Sequence, residues 1–257
     1  ALLHSDESIR MVLKEASSFF AEKDFSTKVK MVYFFGAGCQ NNQTSKRLSQ
    51  LFKPFFVASE FQFRSDMEAA CLATSPQRDA WVFILGTGSN SCIWKDKMIQ
   101  VQVPSGGYIL GDEGSGSYLG KKLLKAWMRK KLPDDLQELL SKSFQLTYHD
   151  LVNTLYRNDA PNAYLASFVP FIHQHRSHAY FHRLVLEAFA ELKQAHEDYL
   201  TTTGVSVPST VGFVGSVAHY FSNELNAVFA PHYSLNRIVH RPIEGLVEYY
   251  QHQLSNP

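Results

Sequence analysis

Four short stretches of the sequence combine glycine, hydroxyl and carboxylate groups in ways that could hold an anion or move a proton. The first is Gly86-Thr87-Gly88-Ser89-Asn90, directly after the hydrophobic run Ala80–Leu85. Glycines let a backbone turn tightly and approach an anion. Successive amides and two hydroxyls could then cradle phosphate oxygens. The stretch is not a GxxxxGK[ST] loop. It is also a poor dinucleotide fingerprint, because the third glycine is missing and no helix opens there. An ordinary hairpin turn explains it equally well.

The second stretch runs from Gly106 to Gly116 and holds Asp112-Glu113 among its glycines. It reads either as a ligand-binding turn, whose carboxylates accept hydrogen bonds from sugar hydroxyls, or as an acidic helix start favoured by the macrodipole. The third is Ser65-Asp66 ahead of an apolar helix. It is either a helix cap or the site of a general base that takes a hydroxyl proton as that oxygen attacks a γ-phosphate. The fourth is Gly212-Phe213-Val214-Gly215-Ser216-Val217, a strand turning into a helix, on which an adenosine could lie flat. A structural turn is the plain alternative.

The elements that must position these stretches alternate in the front half. The hydrophobic periodicity predicts a helix over 6–22, with Ile9, Val12, Leu13, Ala16, Phe19 and Phe20 in register. It predicts strands over 29–35 and 56–63, and helices over 44–53 and from Ser65 to Ala73. A strand over 80–85 and a hairpin from strands at 91–94 and 98–103 follow. Such alternation implies an α/β layer on a mixed or parallel sheet. The middle is helical: 115–131, 136–142, 148–156, 162–175 and 178–202. A last strand at 211–214 precedes helices over 217–230 and 242–254. The basic residues Lys121, Lys122, Lys125, Arg129 and Lys130 lie opposite an apolar face and read as a solvated face rather than a phosphate site. The seam between domains is expected near Pro104, dividing the chain into 1–104 and 105–257. The closing helix 242–254 is left free to pack back on the first part.

The chain has 257 residues, 45% of them hydrophobic, with 25 basic against 24 acidic residues and a net charge of +1. That balance argues against a nucleic-acid tract or a membrane-surface patch. Cys39, Cys71 and Cys92 are too widely spaced for a CxxC or Cys/His ligand set and read as buried thiols in a reducing cytoplasm. His173, His175 and His178 lack the spacing and partner carboxylate of a metal site. No apolar run approaches a membrane span. The opening Ala1-Leu2-Leu3-His4-Ser5 lacks the features of a signal peptide. The first residue is not methionine, so the natural start is expected upstream.

Taken in order, the four stretches resemble the BadF/BadG/BcrA/BcrD-type ATPases, and within them the N-acetylglucosamine kinase-like branch of the sugar kinase, actin and heat-shock ATPase superfamily. The resemblance runs from Val32-Tyr33-Phe34-Phe35-Gly36-Ala37-Gly38-Cys39 to the closing Arg241-Pro242-Ile243-Glu244-Gly245-Leu246. It implies two ribonuclease H-like domains, each a mixed five-stranded sheet flanked by helices, around a nucleotide and sugar cleft. It implies ATP and Mg2+ as cofactors and a small sugar as partner, with neither nucleic acid nor membrane involved and a homodimer left open.

The roles it implies fall on numbered positions. Gly86, Thr87, Gly88 and Ser89 would hold the ATP phosphates, and Gly215 and Ser216 the adenosine. Asp66 would be the general base. Ser105, Gly106, Gly107, Asp112 and Glu113, with Asp66 and Thr87, would contact the sugar. Gly36 and Gly38 would lie near the mouth of the first domain.

The family opens with a strand and a DxGxT-type turn that this sequence lacks, so about 30–40 residues, a hairpin and a strand, are expected to be missing from the front. The implied activity is transfer of the ATP γ-phosphoryl group to the 6-hydroxyl of an amino sugar such as N-acetylglucosamine. Two other readings stay open: an ATPase that activates a partner dehydratase or reductase, and a non-catalytic sugar sensor.

Overall fold

The structure, a computed structural model, describes residues 6–22, 29–39, 41–57 and 59–255, and the side chains of 19–22 fall outside that description. The opening Ala1–Ser5 and the ring positions expected for Phe19 and Phe20 therefore lie outside the described residues. Contacts divide the chain into two units, Ala1–Ala69 and Ala70–Pro257.

The first unit contains helix α1 (Asp6–Glu22), strand β1 (Met31–Phe35), helix α2 (Asn42–Phe52), strand β2 (Glu60–Arg64) and the start of helix α3 (Asp66–Thr74). β1 and β2 pair in parallel, Met31 opposite Glu60 through Phe35 opposite Arg64. Parallel strands need a crossover, and α2 supplies it. Its start is capped by Asn41, whose Oδ1 accepts the Thr44 amide at 2.7 Å. Leu48, Leu51 and Phe52 on α2 are buried. Phe52 meets Phe34 and Phe63 edge-on, with ring centroids 5.3 and 5.4 Å apart. At the end of β1, the Gly36 amide donates to the Arg64 carbonyl at 3.0 Å, and Gly38 takes a positive φ of 75°.

The second unit is built on a five-stranded mixed sheet. Strands β3 (Ala80–Leu85), β4 (Ser89–Lys95) and β5 (Met98–Gln102) form an antiparallel meander. On the other edge of β3 lie β6 (Thr210–Val214) and β7 (Ser234–Val239), both parallel. The spatial order is β5-β4-β3-β6-β7. Pro104, the expected seam, therefore lies inside this second unit, just after β5, because β3–β5 share one sheet with β6 and β7.

Between β5 and β6 run helices α4 (Gly107–Leu110), α5 (Gly116–Met128), α6 (Asp134–Phe144), α7 (Tyr148–Arg157), α8 (Pro161–Ala166), α9 (Val169–Gln174) and α10 (Ala179–Thr202). Helices α11 (Ser216–Tyr220) and α12 (Ser222–Phe229) follow β6, and α13 (Pro242–Ser255) follows β7. The helix expected over 162–175 is two, α8 and α9. Pro170 has no amide to donate back, and it sits in the first turn of the second helix. The helix expected over 217–230 likewise breaks at Phe221.

Side chains alternate across β3. Trp81, Phe83 and Leu85 face one layer, where the Phe83 ring stacks on Phe213 at 5.0 Å and meets Phe229 at 5.3 Å. Val82 and its partner Cys92 face the other. There the sulfur atoms of Cys71 and Cys92 lie 3.3 Å apart. All three cysteines are buried thiols outside any disulfide, as expected from their spacing, and burial raises the pKa of the Cys39 thiol. Helix α13 packs in this unit: Arg237 of β7 pairs with Glu248 at 2.7 Å. Among the described residues no helix is long and apolar enough to cross a membrane.

One buried polar network ties α10 to the sheet. The Trp81 indole donates to Ser91 Oγ at 3.1 Å, and Ser91 Oγ lies 2.7 Å from His196 Nδ1. Ser91 Oγ accepts the indole proton and keeps one donor and one further acceptor site for the imidazole. Burial pushes the His196 pKa down to about 4. The unfolded chain therefore binds a proton that the folded chain refuses between the ordinary histidine value and that point. Stability from this group is complete above about pH 6.5 and is lost as pH falls toward 4, by something on the order of 3 kcal/mol. His196→Asn, which keeps an acceptor near Nδ1 but cannot titrate, should flatten the decline of denaturant stability between those pH values. An unchanged slope would assign the decline to other groups.

Candidate functional site

In the sheet of the second unit, Ile84 of β3 stands opposite Val214 of β6. Two parallel neighbours thus end at one level, β3 in Gly86 and β6 in Gly215, and the crevice beyond the carboxyl ends of parallel strands is where ligands bind in open α/β sheets. The first turn, Gly86–Gly88, closes a hairpin through the Gly86 amide and Gly88 carbonyl at 3.0 Å. Among the described residues the amides of Thr87 and Gly88 find no acceptor. The Thr87 side chain is exposed. The Ser89 hydroxyl is buried with no partner among the described residues. An unmatched buried hydroxyl is costly. Two spare amides beside two hydroxyls form a cradle suited to an anion's oxygens.

The start of α5 is fastened to this turn. Gly116 and Ser117 donate their amides to the carbonyls of Gly86 and Thr87 at 2.8 and 2.9 Å. First-turn amides normally lack partners; here they hold the loop instead. Ser115 caps the helix, its Oγ accepting the Tyr118 amide at 3.2 Å.

Asp112 comes from the second glycine-rich stretch. It adopts a positive φ of 57°, a conformation that aspartate tolerates better than most residues. Its Oδ1 accepts the Ser89 amide at 3.2 Å, and its own amide donates to the Ser105 carbonyl at 3.2 Å. A Cβ at Gly88 would stand 2.9 Å from Asp112 Oδ2, so only glycine lets the carboxylate approach this closely. Burial raises the Asp112 pKa, and neighbouring Glu113 adds to this, against the opposing Ser89 hydrogen bond and Lys121 charge. Gly106, just ahead of α4, and Gly107, its first residue, both take positive φ, and Glu113 is half-buried.

The second turn is more constrained. Gly215 has φ 123° and ψ 166°, and its amide donates to the Val239 carbonyl at 2.9 Å. Between the two turns opens a cleft of about 470 Å³. Gly86, Thr87, Gly116 and Ser216 line its polar side. Val169, Pro170, His173, Val217 and Tyr220 form the other wall. The His173 ring meets Tyr220 and Phe221 at 5.0 and 5.5 Å, and partial burial lowers its pKa.

The structure thus brings Gly86, Thr87, Gly88, Ser89, Ser105, Asp112, Gly215 and Ser216 to one end of one sheet. Asp66 belongs to the first unit. There Ser65 Oγ accepts the Glu68 amide at 3.0 Å and is the cap of α3, while Asp66 is exposed. Its Oδ1 accepts the Met67 amide at 3.0 Å. Glu68 is held by Arg64 at 2.9 Å, and Asp66 has no ion pair among the described residues. Sequence reasoning missed the apolar wall. Tyr220 could have been found as the residue one helical turn beyond Ser216, on the same face; His173 carries no such signal.

Among the described residues no group of three or more histidine, cysteine, aspartate or glutamate side chains could cage a metal. Mg2+ needs no cage where it rides on substrate phosphates with water and one or two carboxylates. Asp112, beside the Gly86–Ser89 turn, is suited to that.

No family model and no curated protein matches the sequence. Among solved structures, a candidate N-acetylglucosamine kinase from Porphyromonas gingivalis is 29% identical with a TM-score of 0.84, covering 97% of this chain and 87% of that one. Another from Chromobacterium violaceum is 17% identical with a TM-score of 0.57, covering 79% of this chain and 71% of that one. The mixed α/β architecture, a five-stranded sheet flanked by helices, is the fold of these proteins.

Proposed function

We propose that this chain is an ATP-dependent kinase that phosphorylates an amino sugar such as N-acetylglucosamine at its 6-hydroxyl. The observation that carries the reading is the pair of turns, Gly86–Ser89 and Gly215-Ser216, leaving adjacent parallel strands at one level with an apolar-walled cleft between them. The likeness to the Porphyromonas gingivalis protein supports it. On this reading each unit belongs to one ribonuclease H-like domain, the second unit having the meander-plus-parallel-pair order of that fold.

The free amides of Thr87 and Gly88 and the hydroxyls of Thr87 and Ser89 hold the phosphates of ATP. The adenosine lies on Gly215-Ser216, its base against His173 and Tyr220. Mg2+, when bound with the nucleotide, neutralises charge on the phosphates. Ser105, Gly106, Gly107, Asp112 and Glu113 contact the sugar. Asp66 accepts the proton of the sugar 6-hydroxyl as that oxygen bonds to the γ-phosphorus and the bond to the ADP oxygen breaks. The phosphoryl group ends on the sugar and the proton on the carboxylate.

The test is ADP release by the full-length natural protein with Mg-ATP across a panel of amino sugars. Release that depends on one sugar supports the kinase and names its substrate. Release independent of every sugar, or none while sugar still binds, overturns it.

A further inference from the structure

The basic side of α5 does more than face water. Together with the first turns of α10 it walls a groove of about 450 Å³, separate in its lining from the cleft between the two turns. Five cations, Lys122, Lys125, Arg129, Lys131 and Arg183, line it against a single carboxylate, Glu187. The whole chain carries a net charge of only +1, so this is a local concentration of like charge.

Two of the five are partly matched. Lys122 pairs with Glu191 across the helices at 2.5 Å, and Arg183 lies 3.7 Å from Glu187. Lys125, Arg129 and Lys131 have no ion pair among the described residues, and all three are exposed. The carboxyl end of α5 attracts cations through its dipole, which would account for these three. It does not account for Arg183, which sits near the amino end of α10, where the dipole opposes a cation. The first turn of α10 holds no acidic residue to offset it.

The remaining wall is not charged. Tyr180 and Leu184 give it an apolar side. Burial raises the Tyr180 pKa, so its hydroxyl stays a protonated donor, and it has no hydrogen-bond partner among the described residues. Arg183 lies over the Tyr180 ring at 6.0 Å. The volume is that of a small-molecule site. Cations converging on a concave surface suit an anion of high charge density, and a planar guanidinium suits phosphate in particular.

We propose that the groove between α5 and α10 binds a phosphate group, either free or as the monoester of a small metabolite whose carbon skeleton lies on Tyr180 and Leu184. This does not depend on the kinase reading.

Calorimetric titration of the full chain at constant ionic strength, with inorganic phosphate and separately with a hexose 6-phosphate, tests it. We expect saturable binding that weakens at least about tenfold in Lys125→Glu/Arg129→Glu and persists in Thr87→Val, which alters the other cleft. Tighter binding of the ester identifies a phosphorylated metabolite; equal binding identifies free phosphate. If melting shows the double variant unfolded, Lys125→Gln/Arg129→Gln takes its place. Binding that survives the groove substitutions, or no saturable binding up to about 10 mM, overturns the proposal.

Discussion

Replacing Asp66 by asparagine should lower sugar-dependent ADP release about 10³-fold, the scale of a lost general base, and should leave the fold intact. The cap of α3 is Ser65, whose hydroxyl holds the Glu68 amide, so the helix start does not depend on the Asp66 charge. Asparagine keeps an oxygen for the Met67 amide that Asp66 now accepts. The remaining cost is the loss of one exposed acid from the first turn of a helix that is otherwise largely buried, about 0.3–1 kcal/mol. Mg-ATP affinity and the melting temperature should therefore change little while turnover collapses. Steady-state kinetics with a coupled ADP assay, beside a thermal melt, separates the two effects. Near-normal turnover would remove Asp66 from the chemistry. Collapse accompanied by a lowered melting temperature would mean that the side chain is structural.

The second large effect is expected at Gly215. A Cβ there would lie 2.2 Å from the Leu85 carbonyl oxygen and 2.7 Å from its carbon. These are backbone atoms of the central strand and cannot swing aside. The φ of 123° with ψ 166° falls in a region essentially reserved for glycine. Gly215→Ala must part β3 from the β6 turn or twist the turn itself. Strain of this kind costs about 3–5 kcal/mol, which for a chain of this size lowers the melting temperature by roughly 6–20 °C. Nucleotide binding should be lost as well, because the same shift displaces Ser216 from the cleft. A melt within about 2 °C of the parent would mean that the turn is softer than its geometry implies.

The strands that carry the site were legible because they are hydrophobic runs ended by glycine. Ala80–Leu85 and Val211–Val214 stand out from their surroundings, and both turns fall where those runs stop. Strand β7 was not legible. Ser234-Leu235-Asn236-Arg237-Ile238-Val239 is half polar, as suits an edge strand, and its pairing with β6 slips at Val211/Gly212. The regular alternation that marks a strand is therefore broken twice over. The short helix α4 starts at a pair of glycines with positive φ, Gly106 and Gly107, which read as loop. In the third stretch the sequence offered a cap and a base as alternatives for one dipeptide. The structure gives the cap to Ser65 and leaves Asp66 exposed. The apolar wall of the cleft comes from α9 and α11, roughly 40 residues apart in sequence, and only packing could join them.

The pairing of β3 with β6 also bears on how the chain acquires its fold. The meander β3–β5 closes through short turns and can form as soon as it is made. β6 begins roughly 125 residues after β3 ends, and at about 5–20 residues per second of synthesis that gap lasts about 6–25 s. Throughout it, the hydrophobic edge of β3 stands without its neighbour, while the helices between are still emerging. Such an edge is a template for pairing with other chains. The nascent protein is thus most open to aggregation, and most in need of a chaperone, in the interval before β6 arrives. The two turns of the cleft, one at each end of that wait, are among the last features to meet.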